Sequence, residues 1–110
     1  MSIAAGEVYL ADVFRGGLRP IVIVSRDALN RGETVLCVPV TTARIAERRR
    51  YRNYVFLPRG AGGLREDSVA VRHLVQPVEV PFLREQWGAL PTPLLEAVLL
   101  GIAWSVGLGE

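Results

Sequence analysis

The chain contains no lysine: all 13 basic residues are arginine, and cysteine, histidine and methionine occur once each. One histidine and one cysteine cannot supply the three or four nitrogen and sulfur ligands of a protein zinc site. Glu66-Asp67 is the one pair of adjacent carboxylates. In extended chain, neighbouring side chains take opposite faces, which argues against a magnesium or two-metal phosphoryl centre. No metal and no cofactor is therefore expected. There is no Gly-x-Ser-x-Gly elbow and no phosphate-binding loop. Arg59-Gly60-Ala61-Gly62-Gly63 lacks the strand before it and the helix after it that a dinucleotide fingerprint requires, and it reads as a flexible connection. Cys37 has no disulfide partner within the chain and lies in an aliphatic run. It is expected to be a buried small hydrophobe in a reducing compartment, the cytoplasm. The stretch from Met1 to Glu7 has neither the basic flank nor the apolar core of a secretory signal. The longest apolar stretch, Leu94 to Leu108, would span about 20 Å as a helix against the ~30 Å of a bilayer core, so no membrane span is expected.

What the chain does have is 110 residues, half of them apolar and 22% charged, with a net charge of only +2. That composition suits a single globular domain over residues 1–110. The arginine bias has two readings, codon usage or the fit of guanidinium forks to phosphate. The clearest local signal is Arg19-Pro20-Ile21-Val22-Ile23-Val24-Ser25. Its β-branched run, bounded by turn residues, predicts a central strand buried on both faces. Pro20 cannot donate to a ladder and is placed at the first residue of that strand, which leaves Arg19 at the rim.

Glu7 to Phe14 mixes polar and apolar residues at near-alternation and predicts a first strand, joined to the central one by the tight connection Arg15-Gly16-Gly17-Leu18. Arg26 to Glu33 reads as a loop or one helical turn. Thr34 to Thr42 predicts a second buried strand. Pro39 calls for a bulge or a strand end nearby, re-aiming Thr41 and Thr42. The charged run from Ala43 to Arg52 is either a solvated face or a phosphate-tracking patch. Asn53 to Pro58 reads as a strand, and Asp67 to Val80 as a bent strand or two strands broken near Arg72. Pro81 to Leu90 shows no regular pattern. Thr92 is placed as the cap of a helix with Pro93 at its first position. The helix's residues leave almost no polar face, so it is expected to pack on the sheet and against a partner subunit. Five to seven short antiparallel strands with a C-terminal helix make a mainly β (α+β) domain, a small curved sheet or barrel.

With metals and the common nucleophiles set aside, arginine plus hydroxyl remains. Such a pair can hold a phosphodiester and stabilise its transition state by electrostatics. His73 is a candidate base, although a lone histidine is more often packed or hydrogen-bonded. Gly6-Glu7-Val8-Tyr9-Leu10, Arg19 to Ser25, Asn30-Arg31, Val38-Pro39-Val40-Thr41 and Gly63-Leu64 through Asp67-Ser68-Val69, followed by a C-terminal helix, resemble the MazF/PemK family of toxin endoribonucleases in order and spacing.

The resemblance implies an SH3-like barrel, a homodimer, a cognate antitoxin, and metal-independent cleavage of single-stranded RNA by attack of the ribose 2′-OH. The family's catalytic arginine falls on Arg19 and its catalytic threonine on Thr41. A guanidinium stays protonated, so Arg19 is expected to neutralise the scissile phosphate while Thr41 donates a hydrogen bond to it. Arg15, Thr42, Arg44, Arg48, Arg49 and His73 are expected to contact RNA. The first loop is shorter than is usual in the family, and His73-Leu74 and Gln76 stand where many members carry Glu-Gln and then Arg, so base recognition is expected to differ. Two alternatives share the barrel: a gyrase-binding toxin resembling the CcdB family, and a member that binds RNA or antitoxin without cutting.

Overall fold

The computed structural model describes residues 2–14 and 17–109. Within them the strands are β1 (Glu7–Phe14), β2 (Gly17–Ile23), β3 (Thr34–Thr41), β4 (Tyr54–Leu57), β5 (Ser68–Val71), β6 (Gln76–Glu79) and β7 (Leu83–Ala89). Short helices α1 (Asp27–Asn30) and α2 (Ile45–Arg48) flank β3, and α3 (Thr92–Ser105) ends the chain. The strands form one antiparallel sheet in the order β4-β5-β3-β2-β1-β7, with β6 also pairing β3. This is the mainly β architecture with a C-terminal helix that the sequence implies. The curled sheet differs from a closed barrel in that its end strands β4 and β7 do not pair.

Packing supplies the closure that hydrogen bonds do not. The glycine run expected to be flexible is a 3-10 turn, Ala61–Gly63, packed against β7. Gly63 holds φ +81°, and a Cβ there would overlap the Trp87 carbonyl; a Cβ on Gly88 would lie 2.9 Å from Gly62. Bare backbones thus meet where side chains would keep the sheet ends apart.

Alternation along β2 and β3 feeds two buried clusters. Val22, Val38 and Val40 join Val8, Leu57, Ala70 and Val98 in one. Ile21, Ile23, Val35 and Cys37 join Tyr9, Ala11 and Val78 in the other. Both strands are buried on two faces, as their unbroken aliphatic runs require. The Leu36 N–H donates to Ser25 Oγ and its carbonyl accepts from Val24, so even residues of β3 address β2 and odd residues the opposite edge. Ser25 Oγ in turn donates to Asn30 Oδ1, and Asn30 Nδ2 donates to the Ile3 carbonyl at 3.1 Å. The hydroxyl and amide tie α1 to the N-terminal segment and to β3.

Pro20 sits differently from its expected place, while Pro39 has the nearby strand end, and not the bulge, of its two expected settings. Pro20 is inside β2, opposite Leu10 of β1, rather than at its first residue. It is tolerated because β3 pairs β2 only at Ile21, Val22 and Ile23, which leaves the missing donor of Pro20 facing an open edge. At Pro39 there is no bulge, but the pairing with β2 ends there, Ile21 opposite Pro39 being the last pair, and β3 itself ends at Thr41. The absent N–H of Pro39 points to the other edge, where the partner strand is interrupted: Cys37 pairs Gln76 of β6, Val40 pairs Ala70 of β5, and a 3-10 turn, Arg72–Leu74, lies between. The break expected near Arg72 is there, and it matches the proline across the sheet.

The stretch with no regular pattern, Pro81 to Leu90, contains β7, whose side chains are half-buried or exposed and so lack a clean alternation. Thr92 is the first helical residue of α3, and Pro91 takes the cap position without a side-chain bond. Helix α3 buries Val98 and Gly101 on the sheet and leaves Leu100 70% exposed. Arg72 runs beneath it, donating Nη1–H to the Ala97 carbonyl at 3.0 Å, and only a glycine at position 101 leaves room for that guanidinium. Among the described residues no helix is long and apolar enough to cross a membrane.

Candidate functional site

Beyond Ile21 and Pro39 the strands β2 and β3 part, and β3 continues with β5. Arg19 and Thr41 each lie two residues beyond that last pair, one on each strand, and both line the opening. The opening is a cleft of about 970 Å³. Leu18, Arg19 and Pro20 line it from β2, Pro39, Val40 and Thr41 from β3, with Thr42 and Ala43 just beyond. Arg48 of α2 closes one side, and Leu64, Arg65, Glu66 and Ser68, ahead of and within β5, close another; Leu10 and Trp87 form its apolar floor.

Within this cleft Arg19 is exposed and makes no ion pair among the described residues. Thr41 Oγ1 accepts the Ala43 N–H at 3.1 Å, which orients the hydroxyl and leaves its proton free to donate. Arg48 is half-buried with its guanidinium 5.6 Å from the centre of the Tyr54 ring. Arg65 lies over Trp87 at 4.5 Å and faces Glu85 at 3.7 Å. Thr42 lines the rim with its side chain exposed. The arrangement offers fixed cations and hydroxyl donors around a space wide enough for a nucleotide linkage, the requirement for holding a phosphodiester.

Other candidates lie outside the cleft wall. Arg44, in left-handed conformation at φ 56°, is paired with Glu47 through bonds of 2.8–3.0 Å. Arg49 stacks on Phe56 at 3.9 Å. His73 sits on the 3-10 turn rather than on a strand, its Nδ1 3.1 Å from Asn53 Nδ2 and its ring edge-on to Tyr54 at 6.0 Å. Arg15 lies outside the described residues. Arg65, Glu66 and Trp87 were not among the expected site residues: Glu66 was weighed only as half of a carboxylate pair, Arg65 lay within the quoted Gly63-to-Val69 stretch without a role, and Trp87 was hidden in an unpatterned stretch.

The most perturbed groups are structural. Burial pushes the Cys37 thiol up to about 12. Burial, then the bond and charge of Glu7, push Tyr9 up to about 12. Burial, then the neighbouring Arg52, lower Arg72 from the ordinary arginine value. Among the described residues no three His, Cys, Asp or Glu side chains gather as metal ligands would.

The sequence profile of PemK-like, MazF-like toxins of type II toxin-antitoxin systems matches residues 4–106. The Endoribonuclease MazF of Staphylococcus saprophyticus is 28% identical over 109 residues, spanning 94% of this chain and 90% of that protein. An endoribonuclease solved in complex with its cognate antitoxin, from a mycobacterial species, superposes with a TM-score of 0.84 at 23% identity, covering 98% of each chain. A chain of a MazE-MazF crystal structure from Deinococcus radiodurans superposes with a TM-score of 0.81 at 23% identity over 99% of each chain. At that identity the two superpositions establish the fold.

Proposed function

The chain belongs to the family of PemK-like, MazF-like toxins of type II toxin-antitoxin systems, and from that premise we propose that it is an endoribonuclease cleaving single-stranded RNA in the cleft between β2 and β3, without a metal ion. The observation that supports this reading is a single cleft lined by both Arg19 and Thr41, where the β2–β3 pairing gives way. In the reaction the ribose 2′-oxygen attacks the adjacent phosphorus, the bond to the 5′-oxygen breaks, and a 2′,3′-cyclic phosphate and a 5′-OH result. Negative charge builds on the non-bridging oxygens as the fifth bond to phosphorus forms. Arg19 meets that charge as a cation without a competing partner, and Thr41 donates its free proton to the same phosphate.

Thr42 and Arg48, on the cleft wall, hold the flanking backbone, and the apolar floor of Leu10, Leu64 and Trp87 receives an unstacked base. Arg44, Arg49 and His73 lie on the adjacent surface, where they guide the strand beyond the scissile linkage. The exposed side chains of Leu99, Leu100 and Trp104 on α3 form the surface for a second copy of the chain, and a cognate antitoxin regulates the toxin in the cytoplasm. Purified protein should cleave single-stranded RNA in EDTA, leaving 2′,3′-cyclic phosphate ends, and Arg19→Ala should slow the reaction by about 10³-fold. Intact RNA after prolonged incubation with folded wild-type protein would refute the proposal.

A further inference from the structure

We propose that Glu66 is the general base that removes the 2′-OH proton, an assignment that rests on the endoribonuclease reading. The phosphate-binding side chains cannot perform this task. A guanidinium has no lone pair to offer, which excludes Arg19, Arg48 and Arg65. Neutral hydroxyls are poor proton acceptors, which excludes Thr41, Thr42 and Ser68. His73 is not among the cleft-lining residues, and its Nδ1 is engaged by Asn53. Among the described residues that line the cleft, Glu66 is the only carboxylate, and none is a histidine, cysteine or tyrosine.

Its carboxylate is also uncommitted. Nearby acids are held elsewhere: Asp67 Oδ1 accepts the Arg59 N–H at 2.8 Å, and Glu85 faces Arg65. Glu66 makes no ion pair among the described residues. Its backbone is held nonetheless, because buried Ser68 donates its hydroxyl to the Glu66 carbonyl at 2.9 Å, fixing that peptide on the cleft lining. An acid group on a held backbone, lining the same cleft as a free cation and an orienting hydroxyl, completes the set of roles that transesterification needs.

The step balances as follows. The 2′-O–H bond breaks and its proton passes to a Glu66 carboxylate oxygen while the 2′-oxygen forms its bond to phosphorus. The bond between phosphorus and the 5′-oxygen breaks, its electron pair staying on the 5′-oxygen, which takes a proton from water. Protonated Glu66 then returns its proton to solvent. The other charged residues lining the same cleft are Arg19 from β2, Arg48 from α2 and Arg65, the chain neighbour of Glu66.

The test measures single-turnover cleavage of a single-stranded RNA across pH, with wild-type protein and with Glu66→Gln and Glu66→Asp. Binding of the same RNA carrying 2′-deoxyribose at the cleavage position is measured in parallel. Wild-type rates should fall with decreasing pH as the carboxylate protonates. Glu66→Gln should lose about 10²–10⁴-fold in rate and lose the acid limb. Glu66→Asp should recover part of the rate and restore the limb, while all three proteins bind the deoxy-substituted RNA within a few-fold. A Glu66→Gln protein that cuts as fast as wild type with the same pH profile would overturn the assignment and leave the nuclease reading standing. A loss of rate matched by an equal loss of binding would make Glu66 a binding residue and likewise overturn it. Absence of cleavage by the folded wild-type protein would instead overturn the nuclease reading itself.

Discussion

In the segment 44–52, arginine side chains find partners close at hand: Arg44 holds Glu47, Arg48 lies against Tyr54, Arg49 stacks on Phe56 and Arg52 lies over Trp104. At the parted ends of β2 and β3, Arg19 stands in a cleft with neither an ion-pair nor an aromatic partner among the described residues. The first region has the charge density, and the second has an uncommitted charge. For chemistry on a phosphate the second matters more, because a guanidinium already paired must lose that partner before it can meet developing charge. The Arg44–Glu47 pair, with side chains 65% and 53% exposed, illustrates how weakly such a surface pairing also contributes to stability.

The contrast is sharpest at Arg19. Arg19→Ala should reduce RNA cleavage by about 10³-fold while leaving the thermal midpoint unchanged, whereas Arg44→Ala and Arg49→Ala should each cost less than tenfold. An equal loss in all three, measured in one cleavage assay, would erase the difference between the regions. Thr41→Val, which keeps the shape and removes the donor, should cost about 10²-fold in rate with little change in RNA binding.

The next effect is on the scaffold that holds the cleft floor. Gly63→Ala places a side chain on a residue at φ +81° against the Trp87 carbonyl. It should destabilise the protein by about 2–3 kcal/mol in denaturant unfolding. A change under 0.5 kcal/mol would show that β7 and the glycine turn do not seal the sheet.

Alkaline pH gives a smaller, graded effect. Cys37 and Tyr9 both bind their protons more tightly when folded, each raised to about 12 from ordinary values of 9.0 and 10.0. The stability they contribute is complete below pH 9 and is lost as pH rises from there toward about 12. Cys37→Ala should flatten part of that decline in pH-dependent unfolding curves. The smallest effect concerns Arg48. Neutralising it should lower the salt slope of RNA binding by about 0.7, as one phosphate contact on a single strand does, and neutralising Arg44 should lower it less.

Much of this was legible before any coordinates. Alternation and β-branching marked β1, β2 and β3, the break near Arg72 was visible in a run too long for one strand, and Arg19 and Thr41 stood out beside their prolines. The fate of the prolines was not legible, because whether a missing N–H is harmful depends on what lies across the sheet: an open edge for Pro20, an interrupted strand for Pro39. β7 was missed because half-exposed side chains carry no period. The glycine run read as flexible because the feature that rigidifies it, the backbone of Trp87, is more than twenty residues away in the chain.

The order of residues alone determined which segments would extend, which two would be buried on both faces, and that any phosphate chemistry would rest on arginine and hydroxyl groups, since these follow from local side-chain shape and from the residue types available. Only the tertiary structure decided which arginine stays free, which carboxylate enters the cleft and where the sheet opens. Those outcomes depend on register and on contacts between distant segments, which local composition does not encode.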